Sequence, residues 1–290
     1  MPATWRTYYE LTKPGITRMV LITAVFGFLL ASKGQVDLVL LVVSLLGIGL
    51  ASAGSAVLNN WMEVDLGARM HRTRGRALPC GKIDQEVALG FGLVLVLGGV
   101  VLLVAFVNQL TALLVLLSAF LYVLVYTPLK RRTWLNTSIG AIPGALPMSC
   151  GWVAATGTVD GGAFIAFAIL YAWQHPHFYA IAWLHKEDYA RAGFKMLSVT
   201  DPTGARLFLQ VIAFAILLLG IGLLPSFVGM AGWIYGLVAL AMGLLVLVDS
   251  IRFIRTPTMA SARGLLRATI IYLPVLLLGT MVEAAVQWVA

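Results

Sequence analysis

Runs of about twenty apolar residues, the length a bilayer-crossing helix needs, recur from one end of this sequence to the other. EVALGFGLVLVLGGVVLLVAFV at 86–107 is one and ARLFLQVIAFAILLLGIGLLPS at 205–226 is another. Only short loops fit between such runs, so the chain is expected to be a single membrane domain over residues 1–290. The expected class is all-α and polytopic, because lipid offers the backbone no outside hydrogen-bond partners and a helix satisfies them internally. Composition agrees: 60% of residues are hydrophobic and 11% charged, against about half and about a quarter in ordinary soluble domains. Nine spans are read, at 14–32, 37–59, 86–107, 109–127, 137–157, 162–184, 205–226, 228–254 and 261–289. The fifth and sixth are the least apolar, carrying IGAIPGALPMSCGW and AWQHPHFYAIAW.

With spans counted this way, every Lys and Arg except Lys33 falls on one side. The positive-inside rule makes that side cytoplasmic, with the N-terminus in and the C-terminus out. A wrong span count would have scrambled the parity. The same rule accounts for the net charge of +8 through the lipid bilayer as partner, with no nucleic acid required. Residues 1–32 share the basic-then-apolar order of a cleaved leader, but removing them would take one span from a self-consistent set. No Arg- and Ser-rich transit segment precedes them, which favours a bacterial inner membrane over an organelle. Cys80 and Cys150 lie far apart, form no metal or redox motif, and read as small residues in packed surroundings.

Against this apolar background, NNWMEVDLGARMHRTRGRALP at 59–79 stands out for its carboxylates, arginines and histidine. Helical spacing puts Ser52, Ser55, Asn59 and Glu63 on one stripe. A second stripe, His177, Leu184, Asp188, Arg191 and Lys195, forms if the sixth helix persists past the bilayer. Tyr122, Tyr126 and Lys130 end the fourth span with the same spacing. Ionisable groups at membrane depth are costly and rarely idle, although Asn59 and Glu63 would also suit a solvated helix end. Carboxylates converging with many Arg and Lys fit a polyphosphate bridged by Mg²⁺, with guanidinium forks on the remaining oxygens. No Walker loop or dinucleotide glycine fingerprint is present, so a lipid diphosphate is a better candidate than a nucleotide. The residues alone go no further.

In their order and on these helices, ELTKPGITRMVLITAVFGFLLA, NNWMEVDLGARMHRTRGRALP, YTPLKRRTWLNTSIGAIPGALPMSCGW and WQHPHFYAIAWLHKEDYARAGFKMLSV resemble the UbiA-type intramembrane prenyltransferases, and within them the haem-farnesylating branch. The resemblance implies nine helices around a central cavity with a prenyl diphosphate at its cytoplasmic mouth. It implies transfer of a farnesyl group from farnesyl diphosphate to a vinyl group of haem B, giving haem O, with Mg²⁺ as cofactor. The family's first motif, Asn followed by acidic residues four and eight positions on, falls on Asn59, Glu63 and Gly67. Glutamate keeps a ligand; glycine removes one, and Asp65 could replace it only if the helix loosens there. By resemblance the catalytic set is Asn59, Glu63, Lys130 and Asp188, and the metal set Glu63, Asp65 and Asp188. Diphosphate contacts fall on Arg69, Arg72, Arg76, Lys130, Arg131 and Lys186, and haem contacts on His177, Tyr126 and Tyr189.

Where quinone-making relatives look Asp-rich, this chain has His177, Lys186, Asp188 and Tyr189, which favours haem as acceptor. His175 reads as structural, and Tyr122, Tyr126, Trp173 and Phe178 could shield a carbocation. A haem A synthase or an oxidase assembly factor is a further partner in this reading. The alternatives are a quinone-precursor or chlorin acceptor, and a catalytically impaired haem-binding assembly protein that Gly67 alone would support. A transporter is disfavoured, since the polar groups gather at one face and do not form a path across.

Overall fold

The computed structural model describes residues 4–71 and 73–289, with side chains to residue 286. All the regular elements among the described residues are helices. A short α1 (Trp5–Leu11) precedes the long α2 (Pro14–Ser32) and α3 (Leu38–Met62), and a single residue separates α3 from α4 (Val64–Arg69). After α5 (Gln85–Phe106), α6 (Gln109–Phe120) widens into a π-helical stretch, Leu121–Tyr126, and ends in α7 (Thr127–Leu129). Next come α8 (Asn136–Thr156), α9 (Gly161–Leu184), the short α10 (Lys186–Arg191) and α11 (Leu197–Thr200). The chain finishes with α12 (Ala205–Phe227), α13 (Trp233–Arg255) and α14 (Met259–Val289).

Polar residues at the ends of the apolar runs set where these helices start. Asp37 accepts from Leu40 N at 2.9 Å, Asp84 from Glu86 N at 2.8 Å, Asn108 from Thr111 N at 2.8 Å and Asp160 from Gly162 N at 2.9 Å, each satisfying a donor the helix leaves orphaned. Pro14 opens α2, where a missing N–H costs nothing, and Gly157 closes α8 in the left-handed region. The largest boundary difference is at 228–254. The helix there starts at Trp233, because Gly229 turns left-handed (φ 73°) and the N–H groups of Met230 and Ala231 fold back onto the Pro225 carbonyl. The buried Glu283 of α14 then caps α13, accepting from Gly232 N at 2.7 Å and Ile234 N at 3.2 Å.

Among the described residues eight helices are long and apolar enough to cross a membrane, so the chain is a multi-pass membrane protein. The ninth long helix, α9, is diluted by Gln174, His175, Pro176 and His177, in keeping with its reading as a weakly apolar span. Neighbouring long helices pack around a closed circuit from α2 through α3, α5, α6, α8, α9, α12, α13 and α14 back to α2. α2 and α8 also cross in near backbone contact. A Cβ on Gly27 would sit 1.8 Å from the Met148 carbonyl oxygen, and one on Gly151 would sit 1.9 Å from that of Ala24, so glycine is obligatory at both. The main core lies among α8, α9, α12, α13 and α14 and includes Trp173, Tyr179, Tyr235, Phe253 and Tyr272. Cys150 is buried as expected, but Cys80 is exposed, with its thiol donating to the Arg74 carbonyl at 3.2 Å, because the 78–82 turn lies at the surface.

Candidate active site

The charged stretch begins inside α3. Asn59 is fully buried, donates from Nδ2 to Thr127 Oγ1 at 2.9 Å and accepts from Lys13 Nζ. One turn on, Glu63 leaves helical geometry (φ −107°, ψ 17°) and is both the last cap of α3 and the first of α4. The hydrogen-bond ladder survives this kink, since Glu63 N donates to Asn59 O at 3.1 Å and Gly67 N to Glu63 O at 2.7 Å. The kink aims the Glu63 carboxylate at Lys130, whose Nζ donates to Oε1 at 2.8 Å, and the two side chains are only 14% and 13% exposed. Lys130 also stands 4.7 Å from the ring centre of Tyr126 and 5.8 Å from that of Phe194, so cation–π attraction supplements the ion pair.

Lys130 reaches this place because the preceding helix is distorted. Pro128 cannot offer an N–H one turn back, and Thr127 donates its hydroxyl to the Tyr122 carbonyl at 2.9 Å, which together suit the widened π turn. Such turns are common at functional sites. Tyr122 and Tyr126 stack within it, with centroids 5.7 Å apart.

The second acidic loop meets the first. Asp188 on α10 pairs with Arg191 and accepts from the backbone N–H of His71 at 3.4 Å. Leu66 and Met70 from the first loop pack with Ala182, Ala192, Phe194 and Met196 from the second. The hydrogen bond from Arg191 holds the Asp188 carboxyl below its ordinary range. The expected stripe does not run on to Lys195: α9 stops at Leu184, α10 at Arg191, and Gly193 (φ 71°) turns the chain away. Lys195 is tied in through its backbone, its N–H donating to the Lys130 carbonyl at 2.7 Å.

The two histidines of α9 differ. His175 is fully buried and has both nitrogens engaged, Nδ1 2.8 Å from Tyr171 O and Nε2 3.1 Å from Ser138 Oγ, with its ring 3.5 Å from that of Phe214. His177 is only partly buried and stacks on Trp173 at 4.7 Å, with Nδ1 3.0 Å from Thr269 Oγ1 of α14. It lies about 10 Å inside the end of α9, at about 1.5 Å per residue.

Other expected residues are distributed unevenly. A pocket is lined by Asn60, Glu63, Gly67, Met70, Thr73 and Arg76, and Arg76 Nη1 donates to Asn60 Oδ1 at 3.4 Å. Arg69 and Arg131 are exposed next to the site. Tyr189 lies 5.9 Å from Phe194. Lys186 stands 5.4 Å over Trp183, whose ring packs on Phe208 and Phe253, so it reaches toward α12 and α13 and away from the Glu63–Lys130 pair. Arg72 lies outside the described residues. Gly67 has a packing reason: a Cβ there would be 3.2 Å from Pro79 Cγ, and the Gly67 carbonyl accepts from Thr73 Oγ1 at 2.8 Å.

Among the described residues no three His, Cys, Asp or Glu side chains gather to hold a metal, and Asp65 is exposed. Magnesium usually takes only one or two carboxylates along with substrate phosphates and water. Glu63 and Asp188 fit that demand, since neither Glu63 Oε2 nor Asp188 Oδ2 accepts a hydrogen bond from the described residues. Sequence reading missed Lys13 and Thr127 as holders of Asn59, Phe194 as a partner of Lys130, and Thr269. The one sequence clue was Lys13 before Pro14, a position that ordinarily favours extended backbone. Here it takes the left-handed conformation (φ 49°), which for a non-glycine residue is uncommon and marks functional sites.

Comparison with known proteins places this geometry in context. The model of the UbiA prenyltransferase family matches residues 20–273. The chain is 41% identical to the protoheme IX farnesyltransferase of Solibacter usitatus over 280 residues, covering 93% of this chain and 96% of that one. It is 41% identical to the enzyme of the same name from Salinibacter ruber, covering 97% and 98%, and 40% identical to that of Opitutus terrae, covering 97% and 95%. Among solved structures, a digeranylgeranylglyceryl phosphate synthase superposes with a TM-score of 0.79 at 18% identity, over 96% of this chain and 98% of that one. A UbiA homologue from Archaeoglobus fulgidus bound to GPP and Mg²⁺ superposes with a TM-score of 0.67 at 14% identity, over 95% and 99%. Likeness at such identities concerns the fold.

Proposed function

The chain belongs to the UbiA prenyltransferase family, and from that premise we propose that it transfers a farnesyl group from farnesyl diphosphate to a vinyl group of haem B, giving haem O and diphosphate. The observation that carries this reading is about 40% identity, over nearly the whole length, to proteins named protoheme IX farnesyltransferase.

Farnesyl diphosphate sits with its head group at the junction of the two acidic loops. Lys130 keeps one N–H on Glu63 and turns its others to diphosphate oxygens, while Arg76 offers its guanidinium from the pocket wall. Arg69 and Arg131, both exposed, add positive charge around the mouth. Glu63 and Asp188 are the carboxylates that would hold a Mg²⁺ ion, which when bound would help neutralise charge on the leaving diphosphate. As the allylic C–O bond breaks, its electron pair leaves with the diphosphate, and Lys130 and Arg76 stabilise the charge that builds there. The electrons of the haem vinyl group form the new C–C bond to the farnesyl cation. Water adds to the carbon next to the macrocycle and releases a proton, leaving a hydroxyethylfarnesyl substituent. The stacked Tyr122 and Tyr126 turn π-faces toward the cation. Asn59, gripped by Lys13 and Thr127, fixes the turn from which Glu63 projects.

The basic residues other than Lys33 share one end of the bundle with both acidic loops, which supports a site facing the cytoplasm of a bacterial inner membrane. A haem A synthase or an oxidase assembly factor would receive the product. The test is product mass after the purified protein is given haem B, farnesyl diphosphate and Mg²⁺, beside parallel reactions with a quinone precursor and a chlorin. Haem B is expected to gain one farnesyl group and one hydroxyl. Unaltered haem with a prenylated quinone precursor or chlorin would overturn the proposal.

A further inference from the structure

The histidine pair on α9 carries more than packing. We propose that Thr269 of α14 sets the working tautomer of His177, so that the imidazole presents a bare Nε2 lone pair as axial ligand to the iron of haem B. The inference deepens the haem reading and rests on it.

The argument is a count of protons. A threonine hydroxyl has one hydrogen to donate. Thr269 Oγ1 lies 2.8 Å from the Leu266 carbonyl oxygen, which can only accept, so the hydroxyl proton is committed there. Thr269 Oγ1 is therefore the acceptor in its 3.0 Å contact with His177 Nδ1, and Nδ1 carries the imidazole hydrogen. A neutral ring protonated on Nδ1 has its lone pair on Nε2. That atom has no hydrogen-bond partner among the described residues, and the His177 side chain is only partly buried.

Position is fixed as firmly as protonation. Trp173, one turn earlier, stacks on the His177 ring at an interplanar angle of 20° and donates from Nε1 to the Thr269 backbone carbonyl at 2.7 Å. A single fully buried residue of α14 thus holds both side chains. An Nδ1–H bound to an oxygen while Nε2 faces the metal is how proteins orient histidine ligands and raise their basicity, and imidazole is a common axial ligand of haem iron. The nearest alternative, His175, has both nitrogens engaged and its ring flat against Phe214.

The test is optical. The purified full-length protein in lipid nanodiscs is titrated with haem B, and the spectra of its oxidised and reduced forms report iron ligation. Wild type is expected to show imidazole-ligated haem. His177→Ala is expected to lose that signature, and exogenous imidazole to restore it. Thr269→Val keeps the shape but removes the acceptor, and should weaken haem affinity by roughly tenfold or more, the usual cost of losing an outer-shell partner. Thr269→Ser, which keeps the hydroxyl, should stay within about twofold of wild type, reading affinity by the same outer-shell rule. Binding of a farnesyl diphosphate analogue, unchanged in each variant, verifies folding. An imidazole-ligated spectrum persisting in His177→Ala, or wild-type affinity in Thr269→Val, overturns the inference and leaves the haem reading standing. Wild-type protein that takes up no haem B overturns both.

Discussion

Glu63 and Asp188 reach the same end of the bundle and are held in opposite ways. Glu63 is tied to Lys130, 67 positions away, across two helices and almost out of solvent. Asp188 is tied to Arg191 three residues on along the same short helix, and that arginine is 45% exposed. The first pair exists only when the whole bundle is assembled. The second could form in an isolated turn, and pairs of that kind stabilise by no more than a few tenths of a kcal/mol. The two carboxylates are equally shielded, each side chain 14% exposed, so what differs is the partner: assembly of the fold bears mainly on the first pair, while the second rests on a local arginine that reaches solvent and that an incoming diphosphate can draw away.

The sharpest way to break this contrast is to remove the acids in turn. Glu63→Ala is expected to cut product formation by roughly a hundredfold or more, the scale of losing one preorganised electrostatic group, and to lower stability by about 1–3 kcal/mol by orphaning Lys130, somewhat less than for a fully buried pair. Product yield and thermal unfolding in detergent would show both effects. Asp188→Asn should lower activity while leaving stability within about 0.5 kcal/mol; an equal stability loss would erase the distinction.

A double-mutant cycle sharpens it further. The Glu63–Lys130 coupling, measured with Glu63→Gln and Lys130→Met, should fall at about 1–3 kcal/mol, and the Asp188–Arg191 coupling below about 0.5 kcal/mol. Next in size is Gly67→Asp, which restores the second acid of the family's first motif. It should give no gain in rate and cost about 1 kcal/mol of stability, on the scale of overpacking, because Pro79 occupies the space. Gly67→Ala should cost less, and a faster Gly67→Asp enzyme would show that the missing acid matters.

The smallest effect concerns pH. The folded carboxyl of Asp188 titrates below its ordinary value, so its contribution is complete above the unfolded value, near 4. It is lost as pH falls through the lower folded value. Arg191→Met should move the acid limb of the activity profile upward by less than about one pH unit, the size of a single exposed charge partner.

The long helices were legible because the length of each apolar run is written directly along the chain. The nine read segments correspond to the long helices within a few residues, except where Gly229 turns the chain and delays α13 to Trp233. Ser55, Asn59 and Glu63 could be placed on one stripe from spacing, and Asn59 and Ser55 are buried along α3. Contacts made across the bundle left no such trace. Lys13 reaches Asn59 over 46 positions and His177 reaches Thr269 over 92; Lys13 is marked only by the proline that follows it, and no local pattern announces Thr269. The π turn before Lys130 was hidden for another reason: spacing arguments assume a uniform 3.6-residue period, and Thr127 with Pro128 departs from it. Gly67 looked like a lost ligand because a motif records residue types and omits what fills the space beside them.

The most direct check on the paired loops as a diphosphate grip is equilibrium binding of a non-reactive farnesyl diphosphate analogue, with Mg²⁺, to wild type, Lys130→Met and a control, Lys195→Met. Affinity should fall by roughly a hundredfold in Lys130→Met, about 2.7 kcal/mol for a charge-assisted contact, and stay at the wild-type value in the control. Wild-type affinity in Lys130→Met, with its fold intact, would mean that the diphosphate is held somewhere else.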